Sequence, residues 1–166
     1  QRDHGGPEQG YHDDDGRLSL SYDAKYFDLI HVDPWKKYPN IKDGIHETID
    51  IIRFCLDLNP DIQFEVGTEE AIRSFSVNEL ELFLKTLELE LSENEFQKIK
   101  YVVIQSGVGL NLCKMKNTGN YNQNCLHDMI QVVKKYNKLT KEHNADYLSY
   151  RAIQDRFSIG LDAINI

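Results

Sequence analysis

The chain has 166 residues, enough for one domain with a sizeable buried core. With 40% hydrophobic and 28% charged residues it reads as an ordinary globular protein, which excludes a disordered chain. A net charge of −8 argues against a nucleic-acid partner, because phosphate binding needs a basic face.

No apolar run approaches the roughly 18 residues that span a bilayer, so no membrane partner is expected, and no leader segment is visible. Cys55, Cys113 and Cys125 are odd in number and lack a C-x-x-C spacing. They read as free thiols of a cytoplasmic protein. The chain opens on Gln1 inside a motif-like stretch and stops on Ile166 inside a strand-like one. It is therefore expected to be part of a longer polypeptide, with residues 1–166 forming a single partial domain.

In chain order, Asp3 and His4 precede two glycines, and residues 5–16 read as a loop. Residues 26–34 (YFDLIHVDP) form the first of five segments that turn from apolar to polar at their carboxyl end. A helix is expected over 42–58, where Ile45, Ile49, Ile52 and Leu56 recur at three- and four-residue steps before Asn59 and Pro60. The second segment covers 62–69 (IQFEVGTE). Ser76 with Glu79, then Ser92 with Glu95, have capping-box spacing and open two more helices. Residues 101–107 (YVVIQSG) are the third segment, followed by a loop over 112–124. A helix over 126–136 leads to the fourth segment, 141–147 (KEHNADY). Ser149 caps a last short helix that Gly160 ends, and 160–166 (GLDAINI) is the fifth segment.

Strand and helix alternate throughout, which means parallel βα units. Side chains alternate faces along a strand, so the segments split into two sets. One collects Leu29, His31 and Asp33; Gln63, Glu65 and Gly67; Val103, Gln105 and Gly107; Lys141 and His143; Ala163 and Asn165. The other is largely apolar in the second and third segments, with Ile62, Phe64, Val66, Val102 and Ile104. Interior strands of open doubly wound sheets are apolar on both faces, and no G-x-G-x-x-G loop follows any strand. A TIM (β/α)8 barrel with a polar mouth fits better, and in such barrels the carboxyl ends of the strands carry the chemistry.

Several residues at those ends are candidates. Asp3 beside His4 offers an acid or base next to a metal-binding imidazole, and His143 shares a strand face with Lys141. Two imidazoles from different strands with a carboxylate such as Glu65 can hold a divalent ion with open positions. Lys141 suits either a Schiff-base amine or an ion pair with Glu65. Asp33 suits a sugar hydroxyl, with His31 beside it, while Lys36 and Lys37 read as either phosphate ligands or a solvated loop. Ser106, Gly107 and Asn144 place backbone amides where a phosphate could be cradled. Residues 12–15 (HDDD) read as a solvated acidic turn, and His46 and His127 as surface positions on helices.

In these motifs the chain resembles the class II ketose-bisphosphate aldolases, and more closely the tagatose-bisphosphate aldolase non-catalytic subunits long labelled tagatose-6-phosphate kinases. The match keeps order from the family's third strand to its eighth. Residues 3–7 (DHGGP) are similar to the end of the third strand, 64–69 (FEVGTE) to the fifth, 102–108 (VVIQSGV) to the sixth, 142–147 (EHNADY) to the seventh and 160–166 to the eighth. The resemblance implies a partial barrel, Asp3 as acid/base, His4 and His143 as ligands of a divalent metal such as zinc, and Asn165 facing substrate. Two departures stand out. Val108 occupies the place of a third metal-binding histidine, and 144–146 (NAD) replace a glycine-rich phosphate loop.

The function expected is metal-assisted retro-aldol cleavage of a phosphorylated ketose, with Asp3, Glu65 and Lys141 catalytic. His31, Asp33, Gln105, Ser106, Gly107, Asn144 and Asn165 would meet the substrate. The rivals are a non-catalytic partner that stabilises an aldolase catalytic subunit, and a metal-dependent sugar isomerase or epimerase using Glu65, Asp33 and His143.

Overall fold

A computed structural model describes all residues from Gln1 to Ile166. The chain forms two compact units: Gln1–Gly67 with Leu82–Lys100, and Thr68–Glu81 with Tyr101–Ile166.

The first unit contains β1 (Arg2–Gly5), α1 (Arg17–Tyr26), β2 (Leu29–Val32), α2 (Ile41–Leu58), β3 (Gln63–Val66) and α4 (Glu93–Gln97). It also takes the later part of α3 (Val77–Glu90) and the first residues of β4 (Ile99–Ile104). β2 pairs in parallel with both β1 and β3. The Phe64 amide donates to the Lys98 carbonyl at 2.9 Å, which brings the start of β4 beside β3. The core is aliphatic and aromatic: Ile30, Val32, Ile51, Ile52, Ile62, Phe64 and Leu84 are fully buried. Trp35, 1% exposed, meets Phe83 edge to face with ring centroids 5.5 Å apart.

α2 occupies the predicted range, extended by one residue. Asn40 caps it by accepting from the Lys42 amide at 2.9 Å, and Asn59 follows its last turn. Ser92 and Glu95 form the reciprocal box expected of them at the start of α4. α1 falls where no helix was expected. Its first turn starts from Gly16 in the left-handed region with no side-chain cap, and Leu18, Tyr22 and Tyr26 point outward. Only Leu20, Asp23 and Ala24 are buried, too narrow a stripe to register as amphipathic.

The second unit contains the rest of β4, an antiparallel hairpin of β5 (Val108–Asn111) and β6 (Lys116–Gly119), α5 (Gln123–Lys135), β7 (Leu139–Glu142), α6 (Tyr150–Ile159) and β8 (Ala163–Ile164). β7 lies parallel between β4 and β8. Since β4 runs through both units, the order of the parallel strands is β1-β2-β3-β4-β7-β8. These are the six expected strands in the expected sequence, alternating with helices as in part of a (β/α)8 barrel. The hairpin is the second departure from expectation, since much of it lies in the stretch read as loop. Gly107 and Gly119 have φ of +87° and +88°, and a Cβ on either would overlap a backbone oxygen of the facing segment, so the hairpin's base needs both glycines.

No helix of the chain is long and apolar enough to cross a membrane. Cys55 is buried, with burial pushing its thiol up to about 12, whereas Cys113 is exposed. Gly44 in α2 lies under the indole of Trp35, which a Cβ would overlap. Gly44→Ala is therefore expected to destabilise the fold by about 1–3 kcal/mol from overpacking, although alanine is the better helix former by up to about 1 kcal/mol. Urea unfolding followed by the fluorescence of Trp35, the single tryptophan, measures this, and an unchanged midpoint would deny the contact.

Candidate functional site

In the first unit the register sets His31 beside Glu65 on neighbouring strands, with Ile30 beside Phe64 on the opposite face. The polar and apolar sets inferred from alternation are thus real on β2 and β3. β1 departs from regular pairing. Arg2 is opposite Ile30 and Gly5 opposite Val32, so three steps on β1 match two on β2. The extra residue makes a bulge, and His4 takes a left-handed φ of +45° there. Regular alternation would send Asp3 and His4 to opposite faces; the bulge lets both turn toward His31.

One ligand atom each from Asp3, His4 and His31 lies within 4.8 Å of the others. His4 Nε2 is 3.9 Å and His31 Nδ1 3.8 Å from the same atom, Asp3 Oδ1. His31 Nδ1 is also 3.8 Å from Glu65 Oε1. The two imidazoles sit 4.7 Å apart between centroids, tilted by 51°.

Each ring is held by its other nitrogen. His4 Nδ1 is 2.6 Å from Asp33 Oδ2, and His31 Nε2 donates to the Gly67 carbonyl at 3.0 Å. Asp33 is fully buried and also accepts from the Trp35 amide through Oδ1 at 3.2 Å. Its backbone carbonyl accepts from Gln9 Nε2 at 2.7 Å. Glu65, equally buried, accepts from Gln1 Nε2 at 2.8 Å. Such outer partners fix tautomer and ring orientation, as they do for metal-binding histidines.

Burial disfavours the charged form of His31, but the Asp3 carboxylate and the charges of Glu65 and Asp33 outweigh it and raise the ring to about 9. Asp3 itself remains 57% exposed at its side chain, the accessible edge of the cluster.

The other expected site residues lie in the second unit. Val103 and Ala163 flank Lys141 across the ladder, as the face assignment required. Lys141 is 5% exposed, with Nζ 5.7 Å from the Tyr101 ring. His143 is 4% exposed and shares a very small polar cavity with Ser106 and Asn144. Asn144 donates to Glu69 Oε2 at 2.8 Å. The Asn165 backbone bridges the Glu142 carbonyl and the Ala145 amide.

Gln105, expected at the substrate, has its amide engaged within the protein. Oε1 accepts from the Phe75 amide at 2.8 Å, while Nε2 donates to the carbonyls of Thr68 and Arg73 at 2.9 and 2.8 Å. It braces the 68–75 loop. Ser106 Oγ donates to Glu142, whose other oxygen accepts from Arg156 Nε at 2.6 Å. Burial pushes the Glu142 carboxyl up, while Ser106 and Arg156 pull the other way. Sequence reasoning named Ser106 for the substrate and missed Glu142 and Arg156. Glu142 stands on the strand face opposite Lys141 and His143, and Arg156 looks like one of several charges on α6.

No family model matches the chain, and no curated protein matches it. Among solved structures, the YdjI aldolase of Escherichia coli K12 is similar, at 16% identity and a TM-score of 0.56 over 84% of this chain and 43% of that one. A Coccidioides immitis protein assigned as a fructose-1,6-biphosphate aldolase matches at 16% identity and a TM-score of 0.58, over 90% and 46%. The lead(II) complex of Haloferax volcanii malate synthase matches at 11% and 0.57, over 99% and 49%. At these identities the likeness establishes the fold, and the chain spans less than half the length of each of the three.

The state of His31 has a measurable consequence for stability without added metal. A ring at about 9 in the fold and near 6.5 when unfolded stabilises the protein fully below pH 6.5 and loses that contribution as pH rises through about 9. Chelator-treated protein should lose up to about 3 kcal/mol of unfolding free energy over that window. His31→Gln should flatten the profile; an equally steep fall in the variant would deny the protonated ring.

Proposed function

We propose that the chain carries part of a class II aldolase-type lyase that cleaves a phosphorylated ketose with the help of a divalent cation. The observation carrying this reading is the convergence of His4, His31 and Asp3, with each imidazole oriented through its far nitrogen. The donors fit such an ion. Ligand atoms around a tetrahedral cation with bonds of about 2.1 Å lie about 3.4 Å apart, close to the 3.8–3.9 Å separations from Asp3 Oδ1. Two nitrogens with a carboxylate are also the donor types that borderline ions such as zinc accept.

His4 and His31 would hold the ion, with Asp33 and the Gly67 carbonyl keeping each ring turned inward. A divalent cation there supplies Lewis acidity toward the oxygens of a ketose. Glu65 beside His31 adds negative charge that favours a cation. Asp3, the most exposed member, takes the proton from the hydroxyl on the carbon that departs as an aldehyde. As that proton leaves, the carbon–carbon bond breaks and its electron pair stays on the ketone fragment. In the reverse direction the protonated Asp3 returns the proton to the new alkoxide. The aldolase names of two structures with this fold, and the family resemblance of the motifs, support the same reaction class.

A second reading, a non-catalytic subunit that supports an aldolase of the tagatose-bisphosphate type, is favoured by one specific observation. Val108, at the place of a third metal-binding histidine, is buried and opens the β5–β6 hairpin opposite Gly119.

Asp3→Asn is expected to reduce cleavage of ketose bisphosphates by about 10²–10⁴-fold while the chain stays folded by circular dichroism. His4→Ala and His31→Ala should instead abolish zinc uptake measured by calorimetry. Cleavage by the Asp3 variant at the normal rate would refute the proton-transfer role. If the unaltered chain is inactive alone but raises the activity of an added catalytic subunit, the supporting role takes its place, and a rearranged sugar as product would indicate an isomerase.

A further inference from the structure

A groove of about 510 Å³ runs between α2 and the later part of α3 in the first unit, and it shares no residue with the cluster of Asp3, His4 and His31. Ile45 and Ile49, 5% and 6% exposed, form its floor, and Leu82 and Thr86 line it from α3. Both helices cross between successive parallel strands, so they run the same way. Arg53, late in α2, donates to the Glu90 carbonyl at 2.6 Å where α3 ends. That contact ties the two helices together at one end of the groove, and Lys42 stands at the other.

α3 exposes more apolar surface than its core contact needs. Leu80, Phe83, Leu84 and Leu87 are buried, yet Leu82 is 47% and Leu89 72% exposed. The step from Leu82 to Leu89 is about two turns of helix, so both stand in one row. That row flanks the groove on the same surface and cannot enter it.

Charge selects the occupant. A net charge of −8 drives copies of the chain apart in general. Around this groove, however, Lys42 and Arg53 balance Asp50 and Glu90. Its ends differ in sign, with Lys42 in the first turn of α2 and Glu90 in the last turn of α3. Neither of these two side chains has an ion-pair partner within the chain. A leucine row beside a groove, with opposite charges at opposite ends, is complementary to itself about a two-fold axis.

We propose that this face is the interface of a homodimer, in which a second copy of the chain packs antiparallel across α2 and α3. Leu82 and Leu89 of each copy enter the other's groove, as the ridges of one helix fill the grooves of another. Lys42 of each copy then meets Glu90 of the other. The interface uses none of the residues assigned to cleavage, so it stands or falls independently of that reading.

Sedimentation velocity of the full chain between about 1 µM and 1 mM tests this. A reversible monomer–dimer equilibrium is expected. Leu82→Glu, at a side chain outside the core, should remain monomeric where the unaltered chain is dimeric, with an unchanged circular dichroism spectrum. Lys42→Glu and Glu90→Lys should each raise the dissociation constant about tenfold or more, because each sets like charges face to face at two places. Mixed in equal amounts, these two variants should recover the original affinity as a heterodimer, since opposite charges then meet at both places. A merely structural role for either residue would produce no such rescue. A dimer that survives Leu82→Glu would overturn the proposal, as would charge variants that associate normally alone or stay weak when mixed. A monomer at every concentration would overturn it too, and would give the groove to a different protein or to a small apolar ligand.

Discussion

Between Arg2 and Gly5, β1 takes three steps while β2 takes two, and the candidate site of the first unit depends on that mismatch. A strand with strict alternation can present Asp3 or His4 to its polar face but not both. The bulge presents both, at the expense of a left-handed backbone for a non-glycine residue, a conformation worth of order 1–3 kcal/mol in strain. The His4 to Asp33 contact at 2.6 Å offsets that strain and also aims the ring. Gly6 matters for the same reason: a Cβ there would come within 2.7 Å of the Asp33 carbonyl oxygen, pushing β1 off β2 where the bulge needs it close.

The second unit achieves its order differently. Glu142 and Arg156 are a buried pair linking β7 to α6, and Ser106 extends the pair to the end of β4. Buried ion pairs add little net stability, but either member left without the other costs several kcal/mol. That asymmetry makes the pair a device of registration: α6 has one height along β7 at which neither charge is stranded. Tyr121, stacked on the guanidinium, carries the same constraint to the base of the hairpin.

Much of this was legible in the sequence. The apolar-to-polar turn of each strand segment, with Ser76 and Ser92 as helix starts, yielded the parallel strands in order and put His31 and Glu65 on one face. What stayed hidden has identifiable causes. A bulge leaves no mark on a pattern read at period two, so Asp3 and His4 could be named but their convergence on His31 could not. The hairpin escaped because its turn, residues 112–115 (LCKM), lacks the Asn-Gly or Asp-Gly signal of a tight loop. Glu142 and Arg156 escaped because a charge on the helix-facing side of a strand is recognisable only once its partner is seen. Gln105 was expected at the substrate from its polarity at a strand end, and its three hydrogen bonds brace a loop.

The partners of the buried acids also separate two kinds of chemistry. Asp33, Glu65 and Glu142 are 0%, 0% and 3% exposed, and carboxylates are almost never buried unpaired. Asp33 and Glu65 sit beside imidazoles, side chains that can gain or lose a proton or bind a metal. Glu142 holds a guanidinium, which does neither and serves instead as a rigid hydrogen-bond fork. The proposed proton and metal chemistry therefore rests on Asp3, His4 and His31. The Arg156 assembly, with its charge already compensated, fixes α6 against β7 instead.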